Sequence, residues 1–121
     1  MENLFTFEYE TQNILNKNGT KSNFNTVYGA GGNVIHCKKD NYQVVSTRDL
    51  SILGHTFIDK NKDVKTFTHR DGEIIGLNIN LGNRLTKVGE KTYNALITIP
   101  NNGGGKGFLT IKENRLICTN G

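Results

Sequence analysis

Alternation of apolar and polar residues recurs along this chain. In LFTFEYE, residues 4–10, Phe5, Phe7 and Tyr9 fall on one side, and Thr6, Glu8 and Glu10 on the other. Period two predicts a strand with one buried face. The polar, turn-rich stretch 16–25 reads as a loop. YGAGGN, residues 28–33, reads as a hairpin turn between two short apolar runs. NVIHCK and YQVVS follow as strands, joined by a turn of Lys38, Lys39, Asp40 and Asn41. The segment 64–81 is the clearest hairpin, because Asp71-Gly72 tolerates positive φ. Beyond that turn, Ile75, Leu77, Ile79 and Leu81 alternate with Gly76, Asn78 and Asn80, giving one apolar and one amide-rich face. TYNALITIP, residues 92–100, alternates as well and closes at Pro100. FLTIK (108–112) and RLIC (115–118) predict a last strand pair around Glu113-Asn114.

One helix interrupts this pattern, near residues 47–56. Ser46 or Thr47 can cap it, and Asp49 sits early, where the helix dipole favours an acid. Leu50, Leu53 and Phe57 are spaced to face a sheet, and Gly54 predicts the end. Composition agrees with mostly strand. Val, Ile, Thr, Phe and Tyr number 40, against 15 for Ala, Leu, Met and Gln. The expected fold class is α+β, mainly β. It is an antiparallel sheet of about seven to nine short strands, curled or two-layered, with one short helix. At 121 residues the chain is a single domain, residues 1–121, large enough to hold a core.

Charge changes the picture modestly. Lys plus Arg is 15 and Asp plus Glu 11, for a net charge of +4. Residues 1–16 hold three glutamates and no basic residue, so the remainder carries +7. A basic body favours a polyanion or an acidic protein surface. Basic residues also interleave with aromatics, the pattern by which single strands are held. Lys38 and Lys39 lie near Tyr42. Lys60, Lys62 and Lys65 lead to Phe67 and Arg70. Arg84, Lys87 and Lys91 precede Tyr93.

Motifs for catalysis are missing their decisive residues. NNGGGKG, residues 101–107, has an anion-nest composition with Lys106, but Gly107 stands where a phosphate loop needs Ser or Thr. YGAGGN lacks the third glycine of a dinucleotide turn. His36, His55, His69, Cys37 and Cys118 show no Cys-x-x-Cys-type spacing, so no metal and no cofactor are expected. The two cysteines read as reduced, buried thiols of a cytoplasmic protein. The first residues lack the basic start of a secretory signal, and no apolar run suits a membrane span. An enzyme is not expected, and no small-molecule substrate is evident.

GGNVIHCKKDNYQVVSTRDLSILG, residues 31–54, and RLICTNG, residues 115–121, resemble the phage/plasmid-like protein family of unknown function. There a strand pair runs into a short helix, and an Arg-x-x-Cys-x-Asn segment follows later. The resemblance implies a mobile-element source and the cytoplasm of a bacterial host, and brings no catalytic residues. Members continue past that segment, whereas this sequence stops at Gly121, which leaves a fragment and a naturally short version as the two readings. By analogy with small phage proteins, the expected function is docking on a host nucleoprotein machine. Its sharpest form is an anti-CRISPR-type inhibitor meeting the guide RNA or an acidic face of a CRISPR nuclease. The alternatives are a single-stranded nucleic-acid-binding accessory protein of phage replication or recombination, and a structural or assembly protein. The expected contacts are Lys60, Lys62, Lys65 and Arg70 first and Lys106 second, with Lys38, Lys39, Arg84 and Lys87 also basic candidates.

Overall fold

The computed structural model describes residues 1–115. Seven strands form two antiparallel sheets, and one helix packs beside them. The first sheet has the order β1-β2-β3: β1 is Glu10–Leu15, β2 Lys21–Tyr28 and β3 Val34–Lys39. The helix α1, Thr47–Ile58, follows. The second sheet has the order β4-β5-β6-β7: β4 is Val64–His69, β5 Ile74–Thr86, β6 Gly89–Pro100 and β7 Phe108–Arg115. The expected mainly β class and strand number hold.

The second sheet carries the core on one face. Directly opposed residues share a face, so register assigns every position. Ile75, Leu77 and Ile79 of β5 stand opposite Ile99, Ile97 and Ala95 of β6. The three β5 residues have no exposed surface. Each such side chain contributes about 1.5–3 kcal/mol on leaving water. Phe5, Tyr9, Val27 and Leu50 complete the buried cluster, with Phe7, Ile35, Val44, Phe57 and Val64 around it. All the second-sheet members of this cluster lie on this one face, here the inner face.

The helix supplies a lid for that face. Ser46 caps it, its side chain accepting from Asp49 N at 3.0 Å. Its buried stripe is Thr47, Leu50, Ser51 and Gly54, the i, i+3, i+4, i+7 spacing of one helical face. Leu53, expected to face the sheet, is instead exposed, because it lies a quarter-turn off this stripe. Gly54 does not end the helix. It sits at a close crossing, where a Cβ would come 2.7 Å from Leu4 Cδ1. The stop falls at Asn61, which adopts φ 62° while Lys60 and Lys62 N–H groups return to Phe57 O.

The N-terminal alternation is real but is not a ladder strand. Phe5 and Tyr9 are buried and Phe7 half-buried. Their rings meet edge to face, at 6.4 Å for Phe5–Phe7 and 5.1 Å for Phe7–Tyr9. Here the backbone is satisfied by helix side chains. Leu4 N donates to Ser51 Oγ at 2.9 Å, and Thr47 Oγ1 donates to Phe7 O at 2.7 Å. Ladder pairing starts only at Glu10.

Three further expectations are corrected. Residues 21–25 are strand, not loop, because Asn18-Gly19 turns the chain and β2 then pairs with both β1 and β3. Gly19 adopts φ 85°, as such a turn requires. Polar side chains hid this strand because much of the outlying sheet faces water. Residues 42–46 are not a strand. The buried Asn101 side chain accepts from Val45 N and donates to Val45 O, both at 2.9 Å, and so replaces a ladder partner. Glu113-Asn114 is not a turn, because β6 extends to Gly89 and keeps both residues paired, opposite Tyr93 and Thr92. Lys91 and Glu113 form an ion pair across the same strands. The expected strand at 115–118 lies outside the described residues beyond Arg115, as does Cys118.

The two sheets are joined turn to turn. Ala30 N donates to Asp71 O at 2.8 Å, and Gly31 N donates to the Asp71 carboxylate. Gly29 is needed for this approach, since a Cβ there would lie 1.9 Å from Asp71 O. The turn itself runs left-handed, with φ 51° at Arg70, 58° at Asp71 and 94° at Gly72. The glycine-rich YGAGGN turn is thus a structural clasp.

Candidate nucleic-acid interface

The opposite, outer face of the second sheet is covered by no element among the described residues. Its rows follow from register. Phe67, Gly76, Thr98 and Phe108 form one row across the four strands. Lys65, Asn78, Leu96 and Thr110 form the next, and Asn80, Asn94 and Lys112 a third. The one acid beside these rows is Asp63, just before β4, whose carbonyl accepts from Asn80 N at 2.8 Å at the end of the third row.

Side-chain contacts preorganise this surface. Gly76 lets the Phe67 ring fold across β5, since a Cβ there would lie 2.0 Å from Phe67 Cζ and 2.3 Å from Ile97 O. His69 continues the aromatic strip, its ring 5.3 Å from that of Phe67. Phe108 is 57% exposed at the other end of the same row. Asn94 Nδ2 donates to Asn78 Oδ1 at 2.6 Å, which fixes two amides side by side. Thr92 Oγ1 donates to Asn83 Oδ1 at 2.7 Å one row further on. Rings, oriented amides, hydroxyls and two lysines therefore share one surface. Such a surface can stack bases, hydrogen-bond their edges and neutralise phosphates.

The basic residues singled out from the sequence are scattered relative to it. Lys65 lies on the platform. Arg70 and Lys106 are exposed at the end of the sheet where β4 turns into β5 and β6 leaves for β7. Lys60 and Lys62 are exposed beyond the other end of β4. Arg84 lies on the inner-face side of the β5–β6 hairpin, opposite Lys91, and Lys87 sits at its tip. Lys39 belongs to the first sheet. Lys38 is corrected outright: it is buried, and its ammonium donates to Tyr42 O, which ties down the turn after β3. Lys112 and Phe108 were not singled out, although the alternation of FLTIK places Phe108, Thr110 and Lys112 on one face.

Other features serve structure. The NNGGGKG loop is anchored by Asn102, which donates to Glu73 Oε1 at 3.0 Å, and by Gly103, which backs onto the His36 ring. Glu8 accepts from Arg48 N at 3.2 Å, so it neutralises the start of α1. Tyr9 donates its phenol to Gly72 O. Burial pushes the Tyr9 phenol up to about 12, with Asn101 pulling it down and Glu8 adding to the rise. Cys37 is exposed rather than buried, because its neighbour Lys38 takes the inward side of β3. Among the described residues no three His, Cys, Asp or Glu side chains gather as metal ligands. An open groove of about 370 Å³ is lined by Leu81, Gly82, Arg84, Tyr93 and Ile111. No helix among the described residues is long and apolar enough to cross a membrane.

Compared with known proteins, the chain matches no family model, no curated protein and no solved structure.

Proposed function

We propose that this is a non-catalytic binding protein whose outer sheet face takes an extended single strand of nucleic acid. The observation that carries this reading is the uncovered set of rows running from Phe67 and Phe108 to Asn80, Asn94 and Lys112, with Asp63 at one corner as its single acid. A protein partner of ordinary kind would favour a more apolar centre. This face offers amides and a hydroxyl around a single leucine, Leu96, on its two central strands, with the rings of Phe67 and Phe108 on the strands at either side. Lys65 and Lys112 stand on the two edge strands, where a strand crossing the sheet places phosphates. A mobile-element setting in a host cytoplasm belongs to the same proposal. There the strand could be free, as in replication or recombination, or the guide RNA of a CRISPR nuclease.

Fluorescence anisotropy with a labelled oligothymidylate, an oligouridylate and a DNA duplex tests the reading at two salt concentrations. Single strands should bind in the micromolar range, weaken as salt rises, and outcompete the duplex. Absence of single-strand binding at low salt sinks it. Capture by a guide RNA–nuclease complex without any bare-strand binding would replace it with the docking reading.

A further inference from the structure

We propose that β7 is a self-pairing edge, and that two copies of this chain join through it into one continuous eight-stranded sheet. The second sheet has two edges, and they differ. On β4 the exposed Lys65 stands mid-edge and the inner positions are the half-buried Val64, followed by Thr66 and Thr68. A lysine and polar neighbours are how proteins blunt an edge. β1 of the other sheet is short and broken by a register shift between Asn13 and Leu15, a second blunting device. β7 also carries an exposed lysine on its outer face, Lys112, but its inner positions Leu109 and Ile111 are apolar rather than threonine and its pairing with β6 has no register shift. Leu109 is 63% and Ile111 56% exposed, and both lie on the inner face, continuous with Ile97 and Ala95 of the core. No strand among the described residues pairs with the outer edge of β7.

Sequence and charge select the partner and the register. In an antiparallel pair about a two-fold axis normal to the sheet, each residue meets one of its own parity. Centring the axis on Lys112 would oppose two ammonium groups and put Ile111 against Glu113. Centring it on Ile111 would put Leu109 against Glu113, which is already held by Lys91. Centring it on Thr110 puts Leu109 of each copy against Ile111 of the other on the inner face. The same register sets Lys112 against Phe108 of the other copy on the outer face, a cation over a ring. Only this register satisfies both faces, so β7 is complementary to itself. The axis keeps the two outer faces on the same side, and the platform doubles in length. The contact is small by the standards of stable dimers, so association should fall in the micromolar range.

Sedimentation equilibrium of the protein without nucleic acid, from low micromolar to near millimolar concentration, reads the association directly. The wild type should pass from monomer to dimer. Leu109→Lys and Ile111→Lys should each hold it as monomer, while circular dichroism shows the fold retained, since both side chains are mostly in water. Lys65→Glu on the other edge should leave the dimer unchanged. In a Cys37→Ser/Cys118→Ser background, Thr110→Cys should cross-link two copies on mild oxidation, because axial residues of an antiparallel pair lie only about 4.5–5.5 Å apart. Lys65→Cys should not. A monomer at every concentration overturns the proposal, and so does a dimer indifferent to both lysine variants. A dimer without a Thr110→Cys cross-link overturns the register. None of these readouts involves nucleic acid, so they stand or fall separately from the proposed function.

Discussion

The two faces of the β4–β7 sheet are built from the same strands, yet they follow opposite rules. Inward, Ile75, Leu77 and Ile79 meet Ile99, Ile97 and Ala95 and lose their water entirely or nearly so. Outward, Gly76, Asn78 and Asn80 meet Thr98, Leu96 and Asn94, and a side-chain hydrogen bond from Asn94 to Asn78 ties two of these rows together. An ordinary wet face would be filled with charge. This one is largely amide, hydroxyl and ring. The inner face accounts for stability and the outer face is the proposed recognition surface, and variants should separate the two.

The sharpest separation is in the core. Leu77→Ala should cost about 3–4 kcal/mol in urea unfolding, whereas Leu96→Ala, one residue type on the opposite face, should cost clearly less. Equal losses would remove the distinction between the faces. Gly29→Ala should cost about 2–3 kcal/mol, because the new methyl strikes Asp71 O and pries the sheets' turns apart. The pH dependence of stability probes the same core. Tyr9 stays protonated in the fold up to about pH 12, while the unfolded phenol ionises near its ordinary value of 10. Stability is therefore unaffected by this group below pH 10. It falls by about 2 kcal/mol between pH 10 and 12 and then levels. Tyr9→Phe should flatten that part of the profile. Ser46→Ala should cost about 1 kcal/mol through the lost cap. Smallest of all, Thr110→Ala on the outer face should change the urea midpoint within about 0.5 kcal/mol.

Much of this architecture was legible from local rules. Asp71-Gly72, the alternation after it, and Ser46 with Asp49 each act through their own few residues. What escaped was set by distant partners. Asn101 binds Val45 across 56 positions and takes the place of a strand. Gly54 looked like a stop, because a helix-interior glycine is costly unless something such as Leu4 crosses it. The Asn18-Gly19 turn signal was present, but the polar strand after it has no apolar period to announce it. The site was half legible. The amide face of β5 and the Lys65–Phe67 pairing could be read directly. Their union with Phe108 and Lys112 needed the order β4-β5-β6-β7, which no single stretch of sequence contains.

The outer face is proposed to bind a single strand through its rings. The most direct measurement is oligothymidylate affinity by anisotropy for the wild type and for Phe67→Ala/Phe108→Ala, each checked for an unchanged fold. Each lost stack is worth about 1–3 kcal/mol, so the double variant should bind at least tenfold more weakly. Lys39→Ala on the other sheet should bind nearly as the wild type does. Unchanged affinity in the double variant, or an equal loss in Lys39→Ala, would contradict the account.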